Sequence, residues 1–126
     1  MKTIRKKYII KASVDKLWKA LVDQKVVEEW GAGSAEMSDK ENADFKLWGG
    51  DIYGKNTKVV PKKLLVQDWY AGKWEEPSKA TFTLKPVGSN TELLLIHGNV
   101  PDKEADEIDD GWDEYYLGKI KEYLEK

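Results

Sequence analysis

His97 is the only histidine of the chain and the side chain best suited to acid–base chemistry near neutral pH. It stands at the end of the predicted strand TELLLIH and is expected to face the interior of the fold. A general acid or base also needs a second group to orient it, and only tyrosines such as Tyr115 and Tyr116 can be placed nearby. The alternative is a buried histidine that forms structural hydrogen bonds only.

Other patterns that carry chemistry are missing from the sequence. There is no cysteine, and no acidic residue stands beside His97 at metal-ligand spacing, so we expect neither thiolate chemistry nor a metal site. Gln67 and Asp68 are neighbours on one predicted strand and therefore point to opposite faces. The Gly49-Gly50 pair lies in a predicted hairpin and not before a helix, which argues against a phosphate-binding loop. We predict a protein that is not an enzyme and needs no cofactor.

Composition and charge narrow the classes of function further. The chain has 126 residues, of which 40% are apolar and 35% charged, and this predicts a single folded domain over residues 1–126. A formal net charge of −2 gives no overall field that attracts nucleic acid. No apolar run approaches the ~18 residues of a membrane span, so we expect no membrane contact. The absence of cysteine is typical of a cytoplasmic protein.

The N-terminal part predicts a strand followed by two short helices. Residues 3–10 have the pattern of a strand, and Ser13 is placed to cap the helix VDKLWKALV. Asp23 is placed to cap a second helix that ends at Trp30, because Gly31 follows it.

From residue 34 to residue 98 the apolar residues recur with a period of two, which predicts five or six antiparallel strands joined by hairpins. In DFKLWGGDIYG we predict a two-residue type I′ turn at Gly49-Gly50 that pairs Leu47 with Ile52 on the inner face. The same register predicts outward-facing side chains at four positions: Lys46, Trp48, Asp51 and Tyr53.

Pro101 is placed to open a long last helix that runs to about Leu124. Acidic residues fill its first half and lysines its end, as the helix dipole favours, and we expect the acidic half to be a solvated face. Gly111 lowers helix stability by about 1 kcal/mol, so a close packing contact or a bend is expected there.

Several stretches of the chain resemble a known family. They are LWKALVDQKVVEEW, FKLWGGDIYG, VVPKKLLVQDW and GWDEYYLGKIKEYLE, which resemble the activator of heat-shock-protein-90 ATPase homologue family of the SRPBCC superfamily. The resemblance runs from about Ile4 to Leu124 and is strongest to the C-terminal domain of the eukaryotic members, through TELLLIHGNVP followed by GWDEYY. The Asn/Trp/His-rich motif and the basic motif of their N-terminal domain do not occur in the 126 residues.

The order of elements and the resemblance imply an α+β helix-grip fold of the START-like, pollen-allergen-like type. In this fold a curved antiparallel sheet wraps around a long C-terminal helix, and two short helices follow the first strand. The resemblance implies a non-enzymatic, co-chaperone-like interaction domain of the stress response that docks on a heat-shock-protein-90-type chaperone or another protein. The alternative is a carrier or sensor that holds a small apolar ligand in the cavity between sheet and helix.

Two sets of residues are the candidate sites. The first is expected either to line that cavity or to fill it as ordinary core, and its members are Phe45, Leu47, Ile52, Leu65, Trp69, Phe82, Leu93, Leu95, His97, Trp112, Tyr116 and Ile120. The second consists of aromatic residues near the predicted hairpin tips, where exposed clusters often mark a contact site. This partner surface is predicted at Trp48, Tyr53 and Trp74, with scattered single exposure as the alternative.

Overall fold

A computed structural model describes residues 1–126 and contains one antiparallel sheet of six strands. The strands are β1 (Lys2–Ile10), β2 (Asp44–Leu47), β3 (Ile52–Val60), β4 (Leu64–Ala71), β5 (Ser78–Val87) and β6 (Asn90–Val100). Their order in the sheet is β1-β6-β5-β4-β3-β2, so hairpins connect β2 through β6, and β1 pairs with the last strand. The curved sheet and the C-terminal helical segment form the predicted α+β helix-grip fold.

Two short helices follow the first strand, as the capping pattern predicted. They are α1 (Val14–Val22) and α2 (Gln24–Trp30). The Ser13 hydroxyl accepts a hydrogen bond from the N–H of Lys16, and the Asp23 carboxylate accepts two bonds from the first turn of α2. Gly31 then ends α2 with a φ of 119°, a value that a residue without Cβ adopts at little cost.

The C-terminal helical segment is interrupted, although we predicted one continuous helix. A 3₁₀ turn (Asp102–Glu104) leads into α3 (Ala105–Gly111), a π-helical turn (Trp112–Tyr116) and α4 (Leu117–Leu124). A Cβ built on Gly111 would meet no atom within 4 Å, so the expected close contact is not there. A close contact exists instead at Gly118, where a Cβ would lie 1.9 Å from the carbonyl oxygen of Asp113.

The hairpin of β2 and β3 has the predicted register but a different turn. Leu47 pairs with Ile52, which confirms the register. The connection has four residues, 48–51, and Trp48, Gly49 and Gly50 all have positive φ, so the two-residue type I′ turn is wrong. The reason is tertiary, because the N–H of Trp48 donates to the carbonyl of Ala32 at 2.7 Å and the N–H of Gly49 donates to that of Ser34 at 2.8 Å.

One core lies between the inner face of the sheet and the helices. Helix α1 packs against β5, β6 and α4, and α2 also contacts α4. All residues predicted for the cavity belong to this core, and each is buried except Ile52, which is half-buried. None of the helices combines the length and the apolarity that crossing a membrane would require.

Candidate functional site

His97 lies at the centre of a buried hydrogen-bond chain that joins the π-helical turn to three strands. The indole N–H of Trp112 donates to Nδ1 of His97 at 3.0 Å, so in the neutral ring Nε2 carries the proton. Nε2–H then donates to Oγ of Ser78 at 2.7 Å, and the Ser78 hydroxyl donates to the carbonyl of Trp69 at 2.6 Å. Burial lowers the pKa of His97 to about 4, which keeps the ring neutral near pH 7.

This chain differs from the arrangement that acid–base catalysis needs. A histidine that activates a serine accepts the hydroxyl proton, whereas His97 donates its own proton to Ser78. Both side chains are buried, with 0% and 1% of their surface exposed. The pair of His97 with Tyr115 or Tyr116 is not formed, because both ring nitrogens already have other partners. The geometry matches the structural role that was the alternative for His97.

Aromatic rings fill the space between the sheet and the π-helical turn. The ring of Trp112 stacks on Trp69 with 5.4 Å between centroids and meets the edge of Phe82 at 5.7 Å. Tyr116 lies 4.5 Å from Trp112 and 5.0 Å from Trp30, again between centroids. The burial of Tyr116 raises the pKa of its hydroxyl. These rings therefore occupy much of the space where the sequence predicted a cavity.

A pocket of about 360 Å³ remains between the 48–51 turn and the C-terminal helical segment. The buried rings of Trp69, Trp112 and Tyr116 contribute to its lining, together with half-buried Trp48 and with Tyr115, which is 57% exposed. Two carboxylates, those of Asp51 and Glu107, also line this pocket. No lysine or arginine does.

Trp48 faces this pocket and not the outer surface, which corrects the predicted direction of its side chain. Its indole N–H donates to the carbonyl of Gly31 at 3.0 Å, and its ring lies 6.2 Å from Trp30 and 5.9 Å from Tyr116. The positive φ of Trp48 turns the residue out of the strand register on which the prediction depended. Asp51 leaves the strand at the same turn and lines the same pocket.

A second surface feature lies on the opposite face of the sheet. The rings of Tyr53 and Tyr70 stack with 5.0 Å between centroids and 3° between planes. They line a groove of about 710 Å³ together with Trp74, Lys46 and Lys55. The indole N–H of Trp74 donates to the carboxylate of Glu104 at 2.6 Å, so this ring is held in place.

Charged side chains attach the C-terminal helical segment to β1. The ammonium group of Lys6 binds the carboxylates of Asp109 and Asp113, the latter at 2.8 Å, and the Tyr8 hydroxyl donates to Asp113. Burial alone would raise the pKa of Asp113, but the hydrogen bonds from Lys6 and Tyr8 hold it below its ordinary value. The acidic half of the segment is therefore partly engaged with the sheet, which corrects the expectation of a purely solvated face.

Comparison with known proteins identifies the family. A sequence model of the family described as Activator of Hsp90 ATPase homolog 1-like protein matches residues 11–125. The chain belongs to this family. The human Activator of 90 kDa heat shock protein ATPase homolog 1 is 29% identical over 112 residues, which are 87% of this chain and 33% of that protein. The chain thus spans about a third of the length of the curated relatives it matches.

Solved structures agree with the fold of this Activator of Hsp90 ATPase homolog 1-like domain. An HSP90 activator from Plasmodium falciparum has a TM-score of 0.89 and 24% identity, with 98% of this chain and 96% of that chain covered. The Aha1 dimer from Colwellia psychrerythraea has a TM-score of 0.84 and 24% identity, with 99% and 97% covered. Both likenesses support the helix-grip fold predicted from the sequence.

The predicted site residues of this family domain separate into three places. Tyr53 and Trp74 share the outer groove, whereas Trp48 lies in the pocket with four members of the predicted cavity set. Those four are Ile52, Trp69, Trp112 and Tyr116. Phe45 is buried and contributes to the lining of the outer groove. The remaining members, among them Leu65 and His97, lie in the core and line neither feature.

Sequence reasoning missed the acidic residues of the pocket. Glu107, Gly111 and Tyr115 are spaced four residues apart, so they share one face of a helix. That spacing is a signal that could have found this side of the pocket. The position of Asp51 could not be predicted in this way, because only the four-residue turn brings Asp51 to the pocket.

Proposed function

We propose that this domain acts by binding, as a co-chaperone-like interaction domain that docks on a heat-shock-protein-90-type chaperone in the cytoplasm. The observation that carries the proposal is the outer groove, where Tyr53 and Tyr70 stack on the face of the sheet away from the helices. Trp74, which Glu104 of the C-terminal helical segment holds in place, also lines this groove. The relatives that bear the name of heat-shock-protein ATPase activators support this choice of partner.

The chemistry of the groove supports a protein partner. Tyrosine and tryptophan are enriched among the residues that carry most of the binding energy in interfaces, because they combine a large apolar area with a polar tip. Lys46 and Lys55 line the same groove and are exposed, and three acidic residues, Asp44, Asp68 and Glu75, line it as well. A partner with apolar side chains flanked by charged residues of both signs would complement the rings and the mixed charges of the groove.

We further propose that the domain has no turnover of its own. The support is that His97 is buried, is neutral near pH 7 and donates to Ser78 instead of accepting its proton. A group that catalyses proton transfer must reach the substrate, and the surroundings of His97 leave no such access.

Binding of a heat-shock-protein-90-type chaperone, measured by calorimetry together with its ATPase rate, tests the docking proposal. We expect Tyr53→Ala and Tyr70→Ala each to weaken binding about tenfold or more. Lys46→Glu combined with Lys55→Glu should also weaken it, whereas Lys16→Glu combined with Lys25→Glu changes the net charge equally on the exposed faces of α1 and α2 and should not. Equal effects of the two charge pairs would contradict the proposal that the chaperone docks on the outer groove. Tight binding by both tyrosine variants would contradict it as well.

A carrier or sensor of a small ligand is the second candidate function. The pocket of about 360 Å³ favours it, because ligand pockets range from roughly 300 to 1,000 Å³. A native mass spectrum of the purified protein tests this candidate. A small molecule that the wild type retains and a Gly111→Leu variant loses would support it, and the absence of any retained mass would count against it.

A further inference from the structure

We propose that the pocket between the 48–51 turn and the C-terminal helical segment binds a small organic cation, an ammonium group that carries a short apolar substituent. The inference rests on the second candidate function and changes its ligand from apolar to cationic. It is independent of docking, because the outer groove lies on the other face of the sheet and shares no lining residue with the pocket.

The first argument is the combination of aromatic rings and carboxylates. Indole and phenol faces attract cations, and Trp48 and Tyr115 are the pocket rings with the most freely accessible surface. Asp51 and Glu107 add two negative charges that no basic residue of the pocket balances. An uncharged apolar ligand would form no ion pair or hydrogen bond with these carboxylates, whereas an ammonium group would form both.

The second argument is that these carboxylates have no partner within the protein. Neither Asp51 nor Glu107 takes part in an ion pair or in a side-chain hydrogen bond. Two other acids of the same helical segment, Asp109 and Asp113, are both bound by Lys6. Asp51 and Glu107 are therefore available to a bound cation, as are Asp106, Asp110 and Glu114, which lie outside the pocket.

The third argument is the glycine in the pocket wall. Gly111 has a φ of −63°, which any residue adopts, and a Cβ there would meet no atom within 4 Å. Neither backbone conformation nor packing therefore requires this glycine, although glycine weakens a helix. A side chain at this position would extend into the space of the pocket, so the glycine keeps that space open.

The π-helical turn provides most of the remaining wall. It begins directly after Gly111 and carries Trp112, Tyr115 and Tyr116, all of which line the pocket. Single π-helical turns occur often at functional sites, because the extra residue changes the direction of neighbouring side chains. The volume of about 360 Å³ suits a ligand of the size of choline or a benzylammonium and is too small for a lipid.

Three probes of nearly equal shape distinguish the effect of the ligand's charge on binding from the effect of its size. They are choline, its uncharged isostere 3,3-dimethylbutan-1-ol, and the anion 3,3-dimethylbutanoate. Each is titrated into the ¹⁵N-labelled protein at low salt, and the indole N–H signals of Trp48 and Trp112 are followed by NMR. We expect choline to shift these signals and to bind about tenfold more tightly than the alcohol, while the anion does not bind.

Variants of the pocket locate the binding. The pair Asp51→Asn and Glu107→Gln should weaken choline binding about tenfold and leave the affinity for the alcohol unchanged. The control pair Asp106→Asn and Glu114→Gln removes the same charge from exposed positions of the same helical segment outside the pocket and should have no effect. Gly111→Leu should abolish binding of both probes while the melting temperature stays at or above that of the wild type.

Three results would overturn the inference. Equal affinity for choline and the alcohol would mean that the pocket selects shape and not charge, which leaves the second candidate function intact. Equal weakening by both carboxylate pairs would mean that the net charge, and not the pocket, attracts choline. Unchanged indole signals with all three probes would reject the cation site, whereas the small-ligand function has its own test in the native mass spectrum.

Discussion

The indole N–H of Trp112 and Nδ1 of His97 are joined by a buried hydrogen bond of 3.0 Å that connects the π-helical turn with β6. Through Ser78 the same chain continues to β5 and to the carbonyl of Trp69 in β4. Helix and sheet are therefore held in one relative position by polar contacts as well as by apolar packing. This position also shapes the pocket, because Trp69 and Trp112 are two of its walls.

We predict that Trp112→Phe is destabilising although it keeps an aromatic ring in the core. The phenyl ring cannot donate to His97, so a buried acceptor loses its partner, which costs about 1–3 kcal/mol. Trp112→Ala removes the packing as well and should cost about 3–5 kcal/mol, since the residue is only 2% exposed. Urea denaturation measures both values. Trp74→Phe, at a half-buried indole, is the control and should cost less; a Trp112→Phe variant as stable as wild type would contradict the prediction.

We predict that stability falls as the pH drops from about 6.5 towards 4. The pKa of His97 is about 4 in the folded protein, against an ordinary value of 6.5. Between these two pH values the unfolded chain binds a proton at His97 and the folded protein does not, so protonation favours unfolding. The full contribution is present above pH 6.5, and roughly 3 kcal/mol is lost by pH 4. Urea denaturation at a series of pH values measures it. A His97→Gln variant should have a flatter profile between pH 6.5 and 5, above the range where most carboxylates titrate. Parallel profiles would show that His97 does not cause the slope.

We predict opposite effects of alanine at two glycines of the C-terminal helical segment. Gly118→Ala places a Cβ 1.9 Å from the carbonyl oxygen of Asp113 and should destabilise the protein by at least about 2 kcal/mol. Gly111→Ala meets no atom and restores helix propensity, so it should stabilise by up to about 1 kcal/mol. Melting temperatures of the two variants, measured side by side, check this. A tolerated Gly118→Ala would contradict the π-helical turn, because only that turn brings Asp113 so close.

We predict that Gly49→Val destabilises the protein by about 1–2 kcal/mol. The φ of Gly49 is 67°, which a β-branched residue resists, while the open space around its Cα means that no clash contributes. Gly49→Asn is the matched control, because asparagine tolerates the left-handed region better than other side chains. Thermal unfolding distinguishes the two. Equal melting midpoints for valine, asparagine and wild type would mean that the turn has a different conformation in solution.

The sequence by itself determined the order of the elements and the kind of most of them, but not the π-helical turn that interrupts the last helix. Capping at Ser13 and Asp23, the alternation of apolar residues and the pairing of Leu47 with Ile52 depend on interactions within a few residues, so they can be read locally. The family and the helix-grip fold followed from stretches that run along nearly the whole chain. The apolar residues of the core were found for the same reason, because their spacing already places them on one face.

The tertiary structure alone decided which side chains form the pocket and what His97 does. Trp48 turns inward because residues 31 and 32, in another part of the chain, accept its hydrogen bonds. His97 has its partners at Ser78 and Trp112, and neither can be chosen from the strand pattern that carries the histidine. Asp51 and Glu107 line the same pocket only because the turn after β2 and α3 lie on either side of it. Contacts between distant residues depend on how elements pack, and a local pattern contains no information about that packing.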